Sequence, residues 1–136
     1  MENVQQIITT GSLIGFNDSL QVELLPGGRC VRLTNNFKVT LAVGRMITVP
    51  AGFETDFASV PRLFWRIIPP WGRYSAAAVV HDYLYATASI TRYEADRIFL
   101  DLMKRLGVPL WKRRLMYRAV RLGGWASWKR FRSQNR

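Results

Sequence analysis

The chain has 136 residues, 49% of them hydrophobic, with six prolines and a formal net charge of +11. That length and apolar content allow one buried core and exclude a disordered polymer. The single cysteine, Cys30, excludes an internal disulfide, and no apolar run approaches the roughly 20 residues that cross a bilayer.

The opening MENVQQIITTGSLIGF lacks the basic start and apolar core of a secretory signal. Together with the lone cysteine this predicts synthesis in a cytoplasm. A single domain over 1–136 is expected, β-rich over about 1–55 and helical over about 59–136. In the first part, LQVELL alternates weakly and runs into the turn signal PGG. RCVRLTNNFKVTLAV reads as two short strands split at Asn35 and Asn36, and MITVPAGF as another that ends near Pro50 and Gly52.

TDFASVPRLFWRIIPPWGRY follows. Its prolines at 61, 69 and 70 exclude a long helix and leave LFWRII room for a turn or two. The apolar period then changes. SAAAVVHDYLYATA, from Ser75, reads as a helix, and TRYE at Thr91 has the capping-box spacing that opens a second. The stripe of that helix is Ala95, Ile98, Phe99, Leu102, Met103 and Leu106. Gly107 suits its end and Pro109 the start of a third helix, WKRRLMYRAVRL, which Gly123 and Gly124 are expected to break before WASWKRF. The fold class is α+β, with strands first and helices after.

His81, the only histidine, sits beside Asp82 in an otherwise apolar run. A short link around Ala88 to Ile90 makes the first two helices antiparallel neighbours. His81 and Asp96 lie equally far from that bend, about two turns at 3.6 residues per turn, so they are expected to face each other. Tyr85, one turn after His81, could support the same carboxylate. A carboxylate on one ring nitrogen fixes the tautomer and leaves the other as a base. The competing account is a buried histidine satisfied by a carboxylate that pins two helices. Asp82 points elsewhere, toward the preceding segment and Asp56, and two carboxylates with loop carbonyls make an oxygen-rich site of the kind calcium takes. The plainer account of Asp56 is a turn, and of Thr55 and Ser59, caps. No second histidine or cysteine pair exists to hold zinc. Trp65 and Trp71 could cover a pocket or close the β-rich half against the helices.

Charge is uneven. All nine acids precede residue 102, where nine Lys and Arg balance them; residues 102–136 carry eleven Lys and Arg and no acid. Such a segment implies an anionic partner. Arg114, Arg118 and Arg121 recur as one charged stripe of the third helix, and Trp111, Leu115, Ala119 and Leu122 as an apolar one. With Arg113, Trp125, Trp128, Lys129 and Arg130 they suit an anionic lipid surface, an acidic protein partner, or single-stranded nucleic acid.

TDFASVPR followed by HDYLY resembles a phage-associated family of small proteins with no assigned function. Over residues 55–103 the same residues resemble the phospholipase A2 superfamily, especially its short bacterial and fungal members. The resemblance rests on Thr55, Asp56, Ser59, His81, Asp82, Tyr85, Asp96 and Phe99. It implies calcium held by the Asp56 carboxylate, the Phe57 carbonyl and the Asp82 carboxylate. It further implies a water activated by His81, with Asp96 orienting the ring, and hence a calcium-dependent lipid ester hydrolase. The alternative is a non-enzymatic structural or assembly protein of a phage particle, its basic segment docking an acidic partner or nucleic acid. The resemblance to the phage-associated family implies a host cytoplasm as the place of synthesis, and a virion or the inner membrane surface as the place of action.

Overall fold

The computed structural model describes residues 15–16, 20–28, 30–41, 45–57 and 75–134. The LFWRII segment, Ser59, Trp65 and Trp71 lie outside the described residues. The chain forms two compact units, Met1–Asp56 and Phe57–Arg136. Strands come first and helices after, the α+β order expected from the sequence.

Among the described residues the first unit holds six short strands: β1 (Gly15–Phe16), β2 (Val22–Leu24), β3 (Val31–Leu33), β4 (Phe37–Thr40), β5 (Met46–Val49) and β6 (Glu54–Thr55). They form two three-stranded sheets in the orders β1-β4-β5 and β2-β3-β6, with antiparallel pairing throughout. The PGG signal closes the β2–β3 hairpin, where Gly27 and Gly28 take φ values of 100° and 73° that a side chain resists. The split at Asn35 and Asn36 separates β3 from β4, and the Asn36 side-chain oxygen accepts from the Ala51 N–H at 2.8 Å. Period-2 alternation buries Val31 and Leu33 on β3, and Phe37 and Val39 on β4, while Lys38 between the last two is exposed. β2 is exposed at all three positions, which matches its weak alternation. The two-residue strands β1 and β6 are too short to leave a periodic signal.

The second unit holds α1 (Ser75–Thr87), α2 (Arg92–Arg105) and α3 (Leu110–Gln134). Both arms of the capping box at Thr91 and Glu94 are present. At the other end of α2 the Gly107 N–H donates to the Lys104 carbonyl at 3.2 Å and the Val108 N–H to the Met103 carbonyl at 3.1 Å. That is a Schellman closure, with Gly107 at a φ of 78°. Ala95, Phe99, Leu102 and Met103 of the expected stripe are buried, and Ile98 and Leu106 half-buried.

The helix break at Gly123 and Gly124 is corrected: α3 runs unbroken through both. A glycine in a helix costs about 1 kcal/mol relative to alanine, and neighbouring packing can outweigh that. A Cβ on Gly124 would lie 2.5 Å from the Tyr85 hydroxyl oxygen of α1. The missing side chain therefore lets α3 approach α1 closely.

Candidate functional site

The short α1–α2 link makes the two helices an antiparallel hairpin, and the equal-height rule then acts on their side chains. His81 Nε2 lies 2.7 Å from Asp96 Oδ1, and the Tyr85 hydroxyl donates to the same oxygen at 2.6 Å. His81 and Asp96 are both 0% exposed. The His81 ring packs against Tyr85 and Phe99, with centroids 4.3 and 4.6 Å away. These contacts fix its plane as well as its position.

The other Asp96 oxygen faces arginine. Arg121 Nη1 of α3 donates to Oδ2 at 2.7 Å, and Arg92 Nη1, one turn before Asp96, approaches it at 3.5 Å. Arg92 also donates to the Val120 and Arg121 carbonyls at 3.1 and 3.3 Å, strapping α2 to α3. One carboxylate thus collects donors from α1, α2 and α3. Its two oxygens offer about four lone-pair sites, and four donors are directed at them.

Burial by itself would push the Asp96 carboxyl up. The hydrogen bonds from His81, Tyr85 and Arg121 outweigh it and hold the group below its ordinary value. Asp96 is therefore ionised and can only accept, so the proton of the His81 contact sits on Nε2. Burial first, and the Asp96 carboxylate second, push the Tyr85 phenol up, so it stays a donor.

A second layer surrounds this cluster. Trp128 meets Tyr85 edge-on with centroids 5.2 Å apart. Arg132 lies 4.6 Å over the Trp128 ring and donates to the Tyr85 and Ala86 carbonyls at 2.6 and 2.9 Å. A cation there satisfies carbonyls that the end of α1 leaves open. Ala88, just past that end, takes the left-handed φ of 51°.

The residues expected to hold calcium have different settings. Asp82 is 1% exposed on α1 and is not one of the groups just described around Asp96. Phe57 is buried and left-handed, with a φ of 59°. Asp56 is half-buried after β6, at the end of the first unit. Among the described residues no group of three or more His, Cys, Asp or Glu is placed to hold a metal ion.

Three of the eight residues expected to meet an anionic partner turn inward instead. Arg121 binds Asp96, Arg113 donates to the Val108 carbonyl at 3.0 Å, and Trp128 packs on Tyr85. Helix rotation decides this, because the buried arc of α3 runs through Met116, Ala119, Val120 and Gly124. Arg114, Arg118, Trp125, Lys129 and Arg130 are exposed. Arg92, Arg132 and Gly124 were not singled out as site residues from sequence. Arg92 had a signal, its four-residue spacing from Asp96.

Residues 31–120 match a family described as a protein of unknown function (DUF1353). The chain belongs to this family. The match contains His81, Tyr85, Arg92 and Asp96 and ends one residue before Arg121. This DUF1353 chain is also 41% identical over 90 residues to the uncharacterized protein y4jT of Sinorhizobium fredii (strain NBRC 101917 / NGR234). That alignment takes in 65% of this chain and 27% of the relative, so the chain spans about a quarter of that protein's length. No solved structure matches. Among the described residues no helix of this DUF1353 chain is long and apolar enough to cross a membrane.

Proposed function

We propose that the protein is a phospholipase A2-like hydrolase of lipid esters, with His81 as its base and Asp96 as the group that orients it. One observation carries this reading: His81 Nε2 and the Tyr85 hydroxyl converge on a single oxygen of an ionised, buried Asp96. With the Nε2 proton held there, Nδ1 would be the nitrogen that serves as base. It would take a proton from water as the hydroxide adds to the ester carbonyl. The tetrahedral adduct would then break to a fatty acid and an alcohol, the proton passing to the leaving oxygen. Tyr85 acts through Asp96 and would not touch the ester.

Calcium belongs to the same reading. The oxygens of Asp56, Asp82 and the Phe57 carbonyl are of the kind calcium takes, and they would be three of the roughly six to eight it needs. Water and further carbonyls would complete the set. When bound, the ion would supply Lewis-acid stabilisation of the carbonyl oxygen.

The test is fatty-acid release from anionic phospholipid vesicles, with calcium and with a chelator, by the native chain and by His81→Asn. The expected result is calcium-dependent release that His81→Asn abolishes while its circular dichroism stays native. Absent release, or release indifferent to both changes, removes the reading.

A second reading is favoured by the enclosure of His81 and by the four donors directed at Asp96. In it the cluster is a staple of three helices, and the protein is a non-enzymatic assembly component of a phage particle. Its basic helix would dock an acidic neighbour or nucleic acid. His81→Asn would then lower the unfolding midpoint sharply in a protein that cleaves no ester. A variant as stable as the native chain would count against the staple.

A further inference from the structure

We propose that the outward face of α3 docks on an anionic lipid surface. Trp111, Arg114, Arg118, Leu122, Trp125 and Lys129 follow one another at spacings of three or four residues, so they form one line along the helix. The line covers about 27 Å at 1.5 Å per residue. It lies opposite the arc that α3 buries. All six residues are exposed, and the apolar ones heavily so: Trp111 59%, Leu122 79% and Trp125 53%. Large apolar side chains and cations thus share a face with no acid, in a segment that carries none.

Leu122 separates the candidate partners. Nucleic acid binds such a face by stacking bases on aromatic rings, and an aliphatic side chain at the centre of the line offers no ring. Its gain comes from leaving water for hydrocarbon. An acidic protein would need carboxylates in register with Arg114, Arg118 and Lys129, whereas a lipid surface presents phosphates at every position. The Lys129 ammonium lies 5.2 Å from the Trp125 ring centre. A lysine beside an indole in this way suits an aromatic ring at headgroup depth with its amine reaching phosphate. Near the start of the line Leu110, Trp111, Arg114, Leu115 and Arg118 line an open groove of about 370 Å³. It offers two guanidinium groups for a phosphate and apolar walls for the first carbons below it. Since α3 cannot cross a bilayer, it would lie in the headgroup plane.

The inference deepens the lipid-ester reading and rests on it for its biological meaning, so binding is measured apart from turnover. The full chain is floated, in chelator, with vesicles of phosphatidylglycerol and phosphatidylcholine in equal parts, and with vesicles of phosphatidylcholine alone. The native chain is expected to float with the anionic vesicles only, with a blue shift of tryptophan fluorescence. Arg114→Gln/Arg118→Gln/Lys129→Gln should lose roughly a hundredfold in affinity, about fivefold per cation. Leu122→Ser/Trp125→Ser should lose about tenfold or more. All five positions are exposed, and circular dichroism checks that each variant stays folded. A native chain that stays unbound overturns the proposal, as does a Leu122→Ser/Trp125→Ser variant that floats like the native chain. Tighter binding to a single-stranded oligonucleotide than to the vesicles, falling steeply with salt, would assign the face to nucleic acid and also overturn it. Flotation without fatty-acid release leaves docking standing and removes the hydrolase. Release from detergent-dispersed lipid by a chain that does not float does the reverse.

Discussion

Each unit of this protein contains an arginine–carboxylate cluster, and the bonds in the two are of similar length. In the strand unit Arg32 bridges Glu23 and Glu54 across β2, β3 and β6, each at 3.0 Å. In the helical unit Asp96 gathers His81, Tyr85, Arg121 and Arg92 at 2.7, 2.6, 2.7 and 3.5 Å. What differs is water. The three side chains of the first cluster are 42–52% exposed, whereas Asp96 and His81 are 0% exposed. In solvent the attraction is screened, and ordering two long side chains offsets most of what remains. In the interior a missing partner leaves a charge that water cannot reach. Similar distances therefore do not mean similar energies.

The sharpest way to break the comparison is Asp96→Ala. It leaves His81, the Tyr85 hydroxyl and Arg121 without their acceptor, and denaturant unfolding should show a loss of about 3–5 kcal/mol. The same carboxylate sets the acid limb. Its folded value is depressed below the ordinary 3.8, so its contribution is complete above that pH. It is lost as pH falls through the depressed value. An acid titration followed by circular dichroism should show this unfolding step, and Asp96→Asn should flatten it. A native chain whose acid midpoint matches that of Asp96→Asn would show that the cluster does not store the stability.

Gly124→Ala should have the next largest effect. The new methyl meets a hydroxyl that Asp96 holds in place, so strain of about 1–3 kcal/mol should exceed the helical gain of roughly 1 kcal/mol. Gly123→Ala, at an exposed position on the same helix, should keep the gain. In Gly124→Ala/Tyr85→Phe the offending oxygen is gone, and the two losses should fall short of adding. Strict additivity would mean that the contact with Tyr85 is not what excludes a side chain. Arg32→Gln should have the smallest effect, leaving the unfolding midpoint within measurement error at moderate salt. A clear drop would show that the exposed network is as consequential as the buried one.

Much of the hairpin was legible along the chain. The capping box at Thr91 fixed where α2 begins, Gly107 where it ends, and the short link around Ala88 made the helices antiparallel. From those points, constant-sum spacing was enough to bring His81 opposite Asp96. Arg121, Trp128 and Arg132 join the same cluster from α3, at sequence separations from their partners of 25, 43 and 47 residues. No local periodicity gives the rotation of α3 against the hairpin. The glycine pair misled for a related reason: propensity counts the entropy of a glycine and not the ring that presses against it.

The sequence by itself determined the order of strands and helices, the ends of α2, the facing of His81 and Asp96, and the confinement of excess charge to residues 102–136. These follow from caps, turns, periods and counts, which act over a few residues or need no geometry. Tertiary structure decided which cations of α3 turn to Asp96 and which to solvent, why Gly124 lies within an unbroken helix, and how one carboxylate serves three helices. Those outcomes depend on how one cylinder is rotated and pressed against two others. That rotation is a property of the summed packing of the helices, and no single spacing encodes it.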